Sequence, residues 1–134
     1  MVEAGRKGRQ YDGGFYDYSA DGNRTVWPGL VELIDAQPAS LPVVDVLERL
    51  LFRKAIESVK CLDEGVLERV MDGNIGSVLG IGFPQHHGGV FQYINSYGLV
   101  AFVSRADELA KRYGARFDVP ASLRELAQLN ARYR

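Results

Sequence analysis

One stretch restricts the fold more than any other: Asp72 to Gly98, D-G-N-I-G-S-V-L-G-I-G-F-P-Q-H-H-G-G-V-F-Q-Y-I-N-S-Y-G. It holds seven of the fifteen glycines and both histidines. Apolar residues recur in it at helical spacing, first Ile75, Val78 and Leu79, then Val90, Phe91, Tyr93 and Ile94. The pattern predicts a helix, a sharp break at Gly80-Ile81-Gly82-Phe83-Pro84, and a second short helix from about Gly89 to Tyr97. Pro84 lacks a backbone donor and biases Phe83 away from helical angles, so the first helix must end before it. Gly80 and Gly82 are expected at positive φ or where two backbones approach closely. Gly98 is expected to close the second helix as a left-handed residue. The result is a tight corner inside a helical domain.

The rest of the chain reads as helix with one exception. Residues 1–23 are polar and glycine-rich, with no helical period, and predict an extended segment. Phe15, Tyr16 and Tyr18 form an aromatic cluster there, expected to be pinned onto the helices behind it. Asp21-Gly22 signals a turn. A short helix is expected after Trp27-Pro28-Gly29, using Leu30, Val31, Leu33 and Ile34, before a break at Gln37-Pro38.

The longest helix is expected from Pro42 to about Glu64, capped by Ser40, with Pro42 in the first turn where its missing N–H is harmless. A rotation of 100° per residue puts Val43, Val44, Leu47, Leu50, Leu51, Ala55, Val59 and Leu62 on one wide arc. The opposite stripe is Asp45, Arg49, Arg53, Glu57, Lys60 and Glu64, expected to face water. Gly65 ends the helix. Leu99 to Tyr113 is a second amphipathic helix, with Leu99, Phe102, Val103, Ala106, Leu109, Ala110 and Tyr113 inward. Its residues Arg105, Asp107, Glu108, Lys111 and Arg112 are expected in water, and Gly114 stops it. Ala121 to Arg132 reads as a last helix with Leu123, Leu126 and Ala127 inward. No alternating strand pattern and no internal repeat occur. The expected class is all-α with four to six helices.

Sixteen basic and seventeen acidic residues, net −1, give no electrostatic case for nucleic acid or an anionic membrane. A hydrophobic content of 46% argues against a disordered chain. At 134 residues one domain is expected, large enough to bury roughly two-thirds of its unfolded surface. No apolar run reaches membrane-spanning length, and the N-terminal M-V-E-A-G-R-K does not read as a signal peptide. The single cysteine, Cys61, fits a reducing compartment and is expected to be a buried, inert thiol. A cytoplasmic location is expected.

Three groups of residues invite chemistry. His86 and His87 are adjacent and so diverge on most backbones, with no HExxH or Cys pair to complete a zinc set. A pair on a surface loop is the expectation, and no metal is assigned. Gly80-x-Gly82 continues as Phe-Pro-Gln, which fails GxGxxG, and no Walker loop occurs. Gly5-Arg6-Lys7-Gly8-Arg9 offers cations and amides to a phosphate through Arg6, Lys7 and Arg9, or is a solvated loop. Whether a Ser/His/Asp or Cys/His arrangement assembles is left open by the sequence.

Several of these strings carry a resemblance. Gly80-x-Gly82-Phe83-Pro84, followed by Gly88-Gly89, Tyr93 and Gly98, resembles the signature of the C-terminal helical domain of 3-hydroxyacyl-CoA dehydrogenases. It is most similar to the second copy of that domain in the multifunctional α-subunits of fatty acid β-oxidation. Gly8-Arg9, Gly14-Phe15-Tyr16 and Tyr18 resemble the G-R-K-x-G-x-G-F-Y-x-Y tail of the first copy, with Gln10 in place of Lys and Asp12 in place of Gly. Glu57-x-x-x-Cys61-Leu62-x-Glu64-Gly65-Val66 resembles a helix ending of the family.

The resemblance implies a helical domain of the 6-phosphogluconate-dehydrogenase C-terminal-like type over residues 24–134. Residues 1–23 would be the tail of a preceding copy. It implies NAD and the catalytic His, Glu and Asn on parts of the family whose strings (H-F-F-N-P, F-I-x-N-R) do not occur here. No catalytic or cofactor-binding residue is therefore carried over, and Gly80, Gly82, Phe83, Pro84, Gly88, Gly89 and Gly98 are expected to be a structural elbow. The implied role is assembly, by pairing with the first helical copy of an NAD-domain chain or by self-association as a homodimer. Two other roles are kept open: an acyl-CoA or other anionic-ligand module using the Gly5–Arg9 loop, and a small metal enzyme using His86 and His87.

Overall fold

The computed structural model describes residues 1–11, 13–34 and 41–134. The expected Ser40 cap, the Gln37-Pro38 break and Asp12 lie outside the described residues. The chain divides into two units, Met1–Ser40 and Leu41–Arg134.

The first unit contains a hairpin that the sequence pattern does not predict. Strand β1 (Tyr16–Tyr18) pairs antiparallel with β2 (Arg24–Val26), matching Tyr16 to Val26 and Tyr18 to Arg24. Three residues per strand are too few to show an alternating period, which is why the pairing is invisible to pattern. The turn is built from Ser19, Asp21, Gly22 and Asn23: the Gly22 amide donates to the Ser19 carbonyl at 3.0 Å, and Gly22 has φ 83°. Helix α1 spans Leu30–Leu33. Phe15, Tyr16 and Tyr18 are exposed, Phe15 at 58%.

The second unit holds α2 (Val43–Asp63), α3 (Val70–Ile81), α4 (Val90–Tyr97), α5 (Leu99–Tyr113) and α6 (Ala121–Gln128). Together with α1 they make the protein all-α, as expected. None of the described helices is long and apolar enough to cross a membrane. The core is aromatic at its centre. Phe52 of α2 stacks on Phe102 of α5 with ring centroids 4.1 Å apart, and Tyr93 of α4 meets both rings edge-on. Ile56, Val59, Ile94, Leu109 and Leu123 fill around them, all fully buried. Each such side chain contributes roughly 1.5–3 kcal/mol of burial.

The helices end where their chemistry dictates. Gly65 (φ 73°) follows α2, and Gly114 (φ 96°) follows α5. Helix α6 stops at Gln128, four residues before the expected Arg132. Asn130 takes φ 49° there, and the Ala131 amide turns back to the Leu126 carbonyl at 3.1 Å. Pro42 is the residue before the first turn of α2, at extended ψ, not a member of that turn.

The later turns of α2 bury Ala55 and Val59 as expected, but its first turns, and the apolar positions of α3, do not face inward. On α2, Asp45 is only 2% exposed while Val43, Val44, Leu47 and Leu50 are exposed, Val43 at 74%. The buried stripe runs Asp45, Phe52, Ala55, Ile56, Val59, so Asp45 lies two turns before Phe52 on the inward side. On α3 the buried residues are Gly73 and Ser77, and Met71, Ile75, Leu79 and Ile81 are exposed.

Candidate functional site

The elbow joins α3 to α4 by small residues and a borrowed cap. The first amides of α4 lack partners within their own helix. Asn74 Oδ1 on α3 accepts the Phe91 amide at 2.9 Å and the Gln92 amide at 3.3 Å. Ser77 Oγ accepts the Val90 amide at 3.2 Å and donates to the Asn74 carbonyl at 2.8 Å. The helices must be close for this to work. A Cβ at Gly89 would stand 2.5 Å from Asn74 Cα, and one at Gly73 would stand 2.3 Å from the Phe91 ring.

The other elbow glycines have separate tasks. Gly82 caps α3 in the left-handed region (φ 62°), where its amide and that of Phe83 both turn back to the Ser77 carbonyl. Gly88 is also left-handed (φ 73°). Gly98 has φ 87° with extended ψ, and alone separates α4 from α5. Gly80 corrects the expectation: it sits inside α3 at ordinary helical φ with open space where a Cβ would go. Phe83 is buried, and Pro84 begins the short 3₁₀ turn Gln85–His87.

The consequence lies on the outer side of α3. Packing Gly73 and Ser77 inward turns Met71, Ile75 and Leu79 outward, one turn apart along a single stripe of about 12 Å. Leu79 is 80% exposed. A shallow hollow of about 290 Å³ between Ile75, Val78, Leu79 and Gly88 lies beside the stripe.

His86 is exposed and His87 half-buried, with its ring 4.8 Å from that of Tyr93 and 6.0 Å from that of Phe83. Burial, and then the neighbouring His86, push the His87 imidazole below its ordinary pKa. Among the described residues no group of three His, Cys, Asp or Glu side chains is placed to hold a metal. Cys61 is half-buried, more open than expected.

The tail cations lie over three different rings. Arg6 stacks over Trp27 at 4.6 Å, Lys7 over Tyr11 at 5.7 Å and Arg9 over Tyr18 at 5.4 Å. Arg6 also donates to the Gly14 and Tyr16 carbonyls and pairs with Asp17. Its five donors are thus largely spent on the hairpin.

An ion cluster between α2 and α5 is absent from the sequence reading. Arg105, expected in water, donates to Asp45, to Glu48 at 2.7 Å and to Glu108 at 2.7 Å. Tyr113 Oη donates to Asp45, and Arg112 reaches it at 3.2 Å. Tyr97 Oη donates to Glu48 at 3.0 Å. The Tyr113 hydroxyl first, and Arg105 next, hold the Asp45 carboxyl below its ordinary pKa. Both oxygens of Asp45 and of Glu48 face donors, so the cluster ties α2 to α4 and α5. No protein-family model matches this chain.

Proposed function

We propose that the chain is a non-catalytic assembly domain of a 3-hydroxyacyl-CoA dehydrogenase of fatty acid β-oxidation. Its elbow presents the outer face of α3 to the NAD-bearing part of the enzyme. The observation that carries the reading is the outward stripe Met71, Ile75, Leu79. Exposed apolar residues in register on one helix mark a surface that another protein covers.

The motif around Gly80–Gly82 supports placing NAD on the partner. These glycines leave the C-terminal end of α3, whereas a pyrophosphate needs the amides of a helix N terminus. The two described strands form an antiparallel hairpin, not the parallel strand–helix–strand unit of a dinucleotide fold. Both features support leaving the cofactor to the partner chain. Self-association through the same stripe is the form the assembly takes when the partner is missing.

The test is NADH formation from a 3-hydroxyacyl-CoA with the chain alone and after mixing with an NAD-domain chain. Silence alone and activity gained on mixing are expected. Activity from the chain alone, or no gain on mixing, overturns the proposal.

A further inference from the structure

A second surface is independent of the elbow and of the dehydrogenase reading. The exposed half of α2 borders a cleft of about 470 Å³ whose apolar floor is Val46, Leu50 and the edge of Phe117. Four cations ring it: Arg49, Arg53, Lys54 and Arg116. Among the described residues, only Arg53 of these four has an ion pair, with Glu57 at 2.6 Å. Arg49 lies over the Tyr113 ring at 4.3 Å, and Lys54 donates to the Ile81 carbonyl at 3.0 Å. The apolar stripe and the cations follow one another along α2, from Val43 to Lys54. That span is about 16 Å, or three helical turns.

We infer that this cleft docks an amphipathic helical segment of a partner protein that carries acidic side chains beside its apolar face. The apolar floor takes the apolar side of such a helix, and the cations compensate its carboxylates. A second copy of this chain is a poorer occupant if it uses the same face. Between Val43 and Lys54 the carboxylates of α2 are Asp45 and Glu48, which Arg105 already engages, and Glu57 beyond them pairs with Arg53. Pairing α2 with α2 would leave the cations without acid partners.

The test uses fluorescence anisotropy with a labelled peptide of two tandem E-L-A-E-L-L-E heptads, which places leucines on one helical face. A peptide of two K-L-A-K-L-L-K heptads is the charge control. Saturable binding of the acidic peptide is expected, weakening with added salt and absent for the basic one. Leu50→Glu and Arg116→Glu each alter an exposed residue, so both should keep the wild-type circular dichroism and melting curve. Each is expected to weaken the peptide by about tenfold or more. Equal binding of both peptides, no response to either variant, or no saturation overturns the inference. So does binding to phosphatidylserine vesicles, lost in the same variants, without peptide binding. That result would assign the cleft to a membrane surface.

Discussion

Asn74 Oδ1 lies 2.9 Å from the Phe91 amide, so a side chain on α3 caps the N terminus of α4. A cap normally comes from the residue just before its helix, and here that residue is Gly89, which has no side chain to offer. The elbow depends on this loan. Asn74→Ala is expected to cost about 1–2 kcal/mol, the usual loss for a cap removed. Asn74→Asp keeps the acceptor and adds a charge that the helix N terminus favours, so it should cost less. Urea unfolding of the two variants decides the matter. Equal losses would show that the contact is shape alone.

The glycines of the elbow separate by the same logic. Gly89 has φ 106° with extended ψ, a region that side chains avoid, and its missing Cβ leaves room for Asn74. Gly89→Ala should therefore lose at least the roughly 1–3 kcal/mol of that backbone strain. Gly80 is helical and open on its Cβ side. Gly80→Ala should gain about 0.5–1 kcal/mol from helix propensity. Thermal melts of the pair would show opposite signs. If both variants melt lower, open space at Gly80 is not free space in solution.

How much of this was legible in the sequence depends on which question is asked. Helix bounds were legible because glycines and prolines punctuate the chain: α5 runs from Leu99 to Tyr113 as the pattern predicts, and α2 is within a residue at each end. Which side faces inward was legible on α5, where Leu99, Phe102, Ala106 and Leu109 are buried as the pattern predicts, and on α6 with Leu123 and Ala127, but not on α3 or in the first turns of α2. A helical wheel ranks positions by hydrophobicity, and on α3 the residues that pack are Gly73 and Ser77, chosen for small size. On α2, Asp45 goes inward because Arg105 and Tyr113, some sixty residues later in the sequence, supply its donors. No local window contains both sides of that contact. Asn74 is of the same kind, since its partner amides lie across the elbow.

Acid should weaken the fold at Asp45. Its folded pKa lies below its ordinary value of 3.8, held there by the Tyr113 hydroxyl and then Arg105. The carboxylate's stabilising effect is then complete above that ordinary value and is lost as pH falls through the folded one. Urea midpoints of the wild type should fall from about pH 4 downward. In Asp45→Asn the midpoint should start lower at neutral pH and fall less steeply below about pH 4. Asp107, held down chiefly by Arg124, and Asp72, by Arg69, would supply the slope that remains. An unchanged acid slope in Asp45→Asn would mean that Tyr113 and Arg105 do not engage the carboxylate in solution.

The outer stripe of α3 makes the last prediction, and it separates folding from assembly. Ile75 and Leu79 are 52% and 80% exposed, so neither supports the core to any extent. Replacing both by glutamate, Ile75→Glu with Leu79→Glu, should change unfolding free energy by no more than about 0.5 kcal/mol per site. The same pair would place two carboxylates, unpaired and desolvated, in any contact that covers the stripe. Sedimentation velocity of the wild type at high micromolar concentration should therefore show association, and the double variant should remain a monomer. Addition of an NAD-domain chain should give a faster-moving complex with the wild type only. A wild type that stays monomeric alone and forms no complex with the NAD-domain chain would leave the stripe without its partner and remove the ground for an assembly role. Association that persists in the double variant would place the contact elsewhere on the surface, with the exposed half of α2 the next face to alter.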